Sequence, residues 1–236
     1  APGPDRRLAS ESFRQFFGEV IGVVRRPQVL LAIVMFVGPA SSFALTNLLG
    51  GLGSDFGASA HFVGAIGGAG VLCAGIAGCL VFPLIDRLLP LRYLYLAIGG
   101  VGALFTLALL LLPRTPLAFA TALIGQNLFQ SAAITTAIAI AFETIGQHNP
   151  LAATTFSVIV SVLNIPNTYM VVVDGWGYAW RGVDGSLLVD AGASLVMCGF
   201  LILLLGYLSL RRRAAAAVTS PPELPAPAAA SDDALW

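Results

Sequence analysis

Six stretches of this chain run for roughly 20 residues or more without a single Asp, Glu, Lys or Arg, and no other feature limits its fold so severely. They are residues 27–54, 56–85, 93–113, 115–142, 149–173 and 191–210. An α-helix rises about 1.5 Å per residue, so each stretch is long enough to cross the roughly 30 Å hydrocarbon core of a bilayer. The 236 residues are 57% hydrophobic and only 10% charged, where a soluble domain has about 25% charged residues. Too few polar side chains exist to cover a globule. The reading is an all-α polytopic membrane protein of six transmembrane helices, organised as a linker (1–26), a bundle (27–210) and a tail (211–236).

The breaks between the stretches carry turn chemistry: "GLGSDFGAS", "PLIDRLLPLR", "PRTP", "GQHNP" and "DGWGYAWRGVDG". All 12 basic residues are arginine, and their placement gives a direction. Arg6, Arg7, Arg14, Arg25 and Arg26 precede the first stretch, Arg87 and Arg92 follow the second, and Arg211, Arg212 and Arg213 follow the sixth. Those ten fall on one side of an alternating six-span topology, leaving Arg114 and Arg181 on the other. Cytoplasmic flanks are enriched in arginine, so both ends are expected in the cytoplasm, with Trp176, Tyr178 and Trp180 marking the far interface. The N-terminal segment has neither Met nor a signal-like apolar run, and is expected to be a polar linker within a longer protein. The Ala- and Pro-rich segment after Arg213 is expected to be a disordered cytoplasmic tail. An Arg-only, Ala-rich composition points to a GC-rich bacterium and hence to its inner membrane.

Polar residues inside the stretches are the candidates for function. The fourth contains "QNLFQSAAITTAIAIAFE". Burying one unpartnered amide in hydrocarbon costs roughly 4–8 kcal/mol, so something must offset Gln126, Asn127 and Gln130. At about 100° per residue these three, with Ser131 and Thr135, cover half the helix circumference, wider than the seam of a single helix contact. They are therefore expected to line a substrate cavity, with Thr136 off the arc and bonded back to its own helix; the alternative is that neighbouring helices satisfy all three amides. In the fifth stretch Ser157, Ser161, Asn164 and Thr168 form a polar stripe broken by Pro166, and Asn164 and Asn167 are the better candidates there for cavity lining.

Other features have simpler readings. Ala60, Gly64 and Gly68 on one face, and Gly67, Gly75 and Cys79 on another, give the second stretch small residues for close helix packing, and without a preceding strand "GGAGVLCAG" is no phosphate loop. Cys73, Cys79 and Cys198 read as packing residues, and His61 as an interfacial hydrogen-bonder. Glu143, Asp174 and Asp190 fall at span edges and are expected to reach interfacial water. No metal-ligand pattern, nucleophile triad or paired catalytic acids occur in the sequence, so no metal, cofactor, enzymatic activity or nucleic-acid partner is expected.

"LIDRLLPLRYL" places Asp86, Arg87 and Arg92 at the cytoplasmic end of the second stretch. This D-R followed by a later R resembles the loop signature of the major facilitator superfamily. "LIGQNLFQSAAITTAIA", "NPLAATTFSVIVSVLNIPNTYMVVVDGW" and "GVDGSLLVDA" are similar to the AmpG-like branch of muropeptide permeases, which is related to acetyl-coenzyme A transporters. The resemblance implies the C-terminal six helices of a twelve-helix transporter, partnered by a missing N-terminal half. It also implies that the first and fourth spans line the cavity, with Ser41, Ser42 and Asn47 contributed after Pro39, while Asp86, Arg87 and Arg92 gate the cytoplasmic side. The expected function is alternating-access movement of a small amphipathic solute across the lipid bilayer, coupled to protons. Alternatives are a siderophore or acyl-CoA permease, or a non-transporting scaffold. Where the muropeptide branch often carries basic residues, near Asn167 and in "GQHNP", this chain is neutral apart from His148, which weighs against an anionic solute.

Overall fold

The structure, a computed structural model, describes residues 13–146 and 152–219. All regular structure among them is helical: α1 (Phe13–Val24), α2 (Pro27–Val37), α3 (Leu45–Leu49), α4 (Ala60–Ala65), α5 (Val71–Ile85), α6 (Leu91–Ala108), α7 (Pro116–Ile145), α8 (Ala152–Leu163) and α9 (Ile165–Thr219). Four helical stretches are long and apolar enough to cross a membrane: Ala60–Ile85, Leu91–Leu111, Pro116–Ile145 and Ala152–Arg211. The chain is an all-helical, membrane-embedded protein.

This tally differs from six uniform spans in two places. The first stretch is helical only in pieces, α2 and α3 being separated by a 3-10 turn at Pro39–Ser41. The fifth and sixth stretches are joined without a real loop. The sequence marks residues 174–185 as a break between spans, but helix continues to residue 180 and resumes at 183. Only Arg181 (φ −141, ψ 22) and Gly182 (φ 61, ψ −145) leave helical backbone. That conformation at 182 is open essentially to glycine alone, so two residues can turn the chain through a hairpin.

Local sequence explains most other boundaries. The Ser59 hydroxyl accepts from the Phe62 N–H and starts α4. Thr115 caps α7 in the same way, with Pro116 in the first turn, and Gly146 (φ 74) ends it. Between α4 and α5 the glycine-rich Ile66–Gly70 widens to a π-helical turn without interrupting the rod.

The described residues up to Ile202 form one compact unit. Within it α7 is central and packs on both α5 and α6. At Gly78 α5 lies directly against α7; a Cβ there would collide with the Leu128 carbonyl. Gly99 of α6 likewise lies against the Ala40 carbonyl. One end of the unit holds an apolar cluster including Leu45, Leu49, Phe56, Phe119, Leu123 and Leu187. Around it Arg114 pairs with Asp184 and lies 5.1 Å from the Phe56 ring, and the Tyr178 hydroxyl donates to Asp55 at 2.8 Å. Partial burial lowers the Arg114 guanidinium from its usual range, and Asp55 opposes that shift. By contrast only 11% of the apolar window of Ala60–Ile85 is buried, against 50% for Leu91–Leu111. Leu72, Ile76, Leu80 and Leu84 are thus left on an exposed face.

Both terminal segments contain helix. The segment expected as a linker is helical from Phe13, and Val20, Val23 and Val24 meet Thr155 and Val158 of α8 because they share one helical face. The second unit begins at Leu203 and is helical to Thr219, since "RRRAAAA" is a run of strong helix formers. The remainder of the expected tail, and His148 with its loop, lie outside the described residues.

Candidate functional site

Two interruptions, each at a proline, come together in space. After α2, Gly38 is extended (φ −77, ψ 151) and Pro39 opens the 3-10 turn, because a proline ring excludes the helical region for its predecessor. Phe43 then takes φ 49, a backbone that costs a bulky residue about 1–3 kcal/mol. Its ring offsets that cost by stacking on Phe129, 6.0 Å between centroids, and by filling the space beside Gly102 where a Cβ would sit. The second interruption falls at Asn164, between α8 and α9, where Pro166 lacks the N–H that would continue the ladder.

Broken helices free carbonyls, and at membrane depth these need partners. The Tyr169 hydroxyl donates to the Val37 carbonyl at 2.8 Å, the Ser194 hydroxyl to that of Pro39 at 2.9 Å, and the Cys198 thiol to that of Ala40 at 3.4 Å. Cys198 is therefore a packing residue with a weak donor role. Asn164 Nδ2 donates to the Val160 carbonyl at 3.2 Å.

Between the two interruptions lies a cavity of about 210 Å³ whose polar lining is Ser41, Ser42, Tyr95, Asn164 and Asn167, with Pro166 at its wall. Ser41 donates to the Tyr95 carbonyl at 2.8 Å and Ser42 to that of Pro39 at 3.5 Å. Asn167 Oδ1 is buried and receives no hydrogen bond. The site thus offers one unsatisfied acceptor among small polar groups, arranged to take a neutral donor.

Three of the expected cavity residues, Ser42, Asn164 and Asn167, meet here. Four do not. Gln126 is fully buried, and its Nε2 donates to Thr106 Oγ1 of α6 at 2.5 Å, so its assignment to the cavity is corrected: it joins helices. Asn127 Nδ2 turns back to the Leu123 carbonyl of its own helix at 2.8 Å, and Gln130 Nε2 reaches Thr46 Oγ1 at 3.3 Å. Both are half-buried and outside this cavity; Asn47 is exposed. The polar arc is wide because several neighbours share it: α6 takes Gln126, the segment after Pro39 takes Gln130, and Thr135 touches Cys79 Sγ of α5 at 3.5 Å. Thr136 bonds to the Ala132 carbonyl of its own helix at 2.8 Å, as expected for a hydroxyl off the arc.

At the end of α5, Asp86 makes no ion pair with Arg87 or Arg92; Arg87 is exposed, and Asp86 Oδ1 is buried without a partner. A latch within this loop is therefore not formed. Asp86 caps the helix instead, its N–H reaching the Phe82 carbonyl at 2.9 Å.

Sequence reasoning placed Asp174 and Asp190 at wet span edges, and the structure overturns this. Asp174 is 0% and Asp190 3% exposed, because the arms of the hairpin carry both into the bundle. The signal that could have found them is the pair Gly177 and Gly185, small residues that let two helices touch where a loop was expected. No protein-family model matches the chain, and no curated protein or solved structure is significantly similar to it.

Proposed function

We propose that this chain is a six-span bundle forming one half of a bacterial inner-membrane secondary transporter, resembling the C-terminal half of an AmpG-like major facilitator permease. On this reading it moves a small amphipathic solute by alternating access with both ends in the cytoplasm, and a second six-helix half completes the site. The observation that carries the reading is the cavity between two interrupted helices, because transporters of this kind bind substrate near the midplane where helices are discontinuous. Its volume of about 210 Å³ is below the roughly 300–1,000 Å³ of a complete small-molecule site, as suits one wall of a site shared between two halves. The exposed apolar face of α5 supplies a surface for the second half or for lipid. With no partner in its own loop, Asp86 would gate only by reaching across to that second half.

Thiol labelling tests this. In a chain whose three native cysteines are replaced by alanine, a cysteine at position 164 or 167 should react with a membrane-impermeant thiol reagent from at least one side, and one at 126 should not. If 164 and 167 stay unlabelled in every conformation of the complete transporter, the cavity is sealed and the reading fails.

Topology gives a second expected result. Reporter fusions after Arg26, Arg92 and Arg213 should read cytoplasmic, and a fusion at Trp180 should read external. A cytoplasmic signal at Trp180 would rule out the six-span arrangement, since it places the hairpin turn on the wrong side.

A further inference from the structure

The two arms of the α9 hairpin touch backbone to backbone. A Cβ on Gly177 would come within 2.6 Å of the Gly185 carbonyl oxygen, and one on Gly185 would collide with the Gly177 carbonyl. Beside this contact the Ser186 hydroxyl donates to the Asp174 carbonyl at 2.9 Å, so the arms run antiparallel in a fixed register. Asp190 is one helical turn beyond Ser186 on the same face, so it lies next to the point where Ser186 meets the backbone of Asp174. Asp174 is seven residues before Arg181 and Asp190 eight after Gly182, so both lie roughly 10–12 Å along their arms from the turn.

Three of the four carboxyl oxygens of Asp174 and Asp190 find no partner in their surroundings. Both oxygens of Asp174, and Oδ1 of Asp190, are buried and without a hydrogen bond. Among the described residues no cation pairs with either carboxyl group. From the elements packed against the hairpin come Asp55, bonded to Tyr178, and Tyr95; within the helix itself Tyr169 is bonded to Val37, and Cys198 to Ala40. Arg114 is occupied by Asp184, and Arg181 lies 5.2 Å from the Trp180 ring. Unpaired, desolvated carboxylates side by side are costly, and an ionised carboxylate can only accept hydrogen bonds. One proton changes this. It removes one charge from the buried pair and turns one group into a carboxylic acid with an O–H donor of its own.

We propose that Asp174 and Asp190 form a proton-binding site between the arms of the hairpin, taking one proton between them. Uptake forms one O–H bond on one carboxyl group and needs no other reactant. Two glycines keep the arms together, so gain or loss of the proton acts on the packing of the hairpin itself. If the chain is a transporter half, which is a separate reading, this site holds the proton that couples transport.

Infrared difference spectroscopy of the full chain in lipid nanodiscs tests the site without any transported solute. The unmodified chain should show a protonated-carboxyl C=O band that exchanges slowly with D2O, shifts on labelling with carbon-13 aspartate, and persists at a pH where exposed carboxylates are ionised. The band should be lost in D174N/D190N and be the same in sodium and choline buffers. Absence of such a band from the unmodified chain overturns the proposal even if no variant folds. So does a band that survives in D174N/D190N, or one that vanishes in sodium buffer, which would make the pair a metal-cation site. A chain that shows the band but transports nothing with its second half leaves the proton site standing and removes the transporter reading.

Discussion

Gly185→Ala should destabilise the bundle by about 1–3 kcal/mol, the usual cost of overpacking, and toward the upper end of that range. The atom a Cβ would meet is the Gly177 backbone carbonyl, which cannot swing aside as a flexible side chain can. The arms would have to separate, exposing the Ser186–Asp174 hydrogen bond and the buried carboxyl groups next to it. Gly175→Ala is the control. It is on the same arm two residues from Gly177, but a Cβ there meets nothing within 4 Å. In a helix, alanine is better than glycine by roughly 0.5–1 kcal/mol, so this change should be neutral or mildly stabilising. Unfolding of both variants in mixed detergent micelles, followed by helical circular dichroism, makes the comparison. Equal losses for the two would mean that the hairpin arms are not in contact.

The second large effect is expected at Thr106, and its sign separates helix joining from cavity lining. The Thr106 hydroxyl donates to the Gly102 carbonyl at 3.0 Å and accepts from Gln126 Nε2. Thr106→Val removes that acceptor and leaves a fully buried amide with no partner, since Gln126 Oε1 already has none. Stranding a buried polar group costs about 1–3 kcal/mol; measured couplings between membrane helices run lower, about 0.6 on average with a maximum near 1.7. A loss of roughly 1–2 kcal/mol is expected. Thr106→Val/Gln126→Leu should recover much of it, because an apolar pair of similar volume strands nothing. If the double variant is instead less stable than Thr106→Val alone, the amide is not held by Thr106 and its assignment as a helix-joining group is wrong.

Much of the local architecture was legible in the sequence, and for one reason: each signal acts on backbone within about four residues of itself. Pro166 breaks its helix through the proline ring, Ser59 and Thr115 begin helices by accepting from an N–H three residues on, and Gly146 ends one through its positive φ; Pro39 breaks the first stretch by the same local effect, which the apolar length of 27–54 concealed. The all-helical, membrane-embedded class follows from apolar length in the same direct way. The tertiary structure alone decided which polar group meets which. Gln126 finds Thr106 across 20 residues, Ser194 finds Pro39 across 155, and Cys198 finds Ala40 across 158. No periodicity along one helix can say which neighbour will cover a given face. Hence the arc in α7 suggested one wide cavity when it serves several helices, and the cavity opened instead where the two breaks meet. The same limit misplaced Asp174 and Asp190. A charge in a sequence suggests the edge of a span, but its depth is set by the helix packed beside it, and here two glycines let the arms of a hairpin close over both acids.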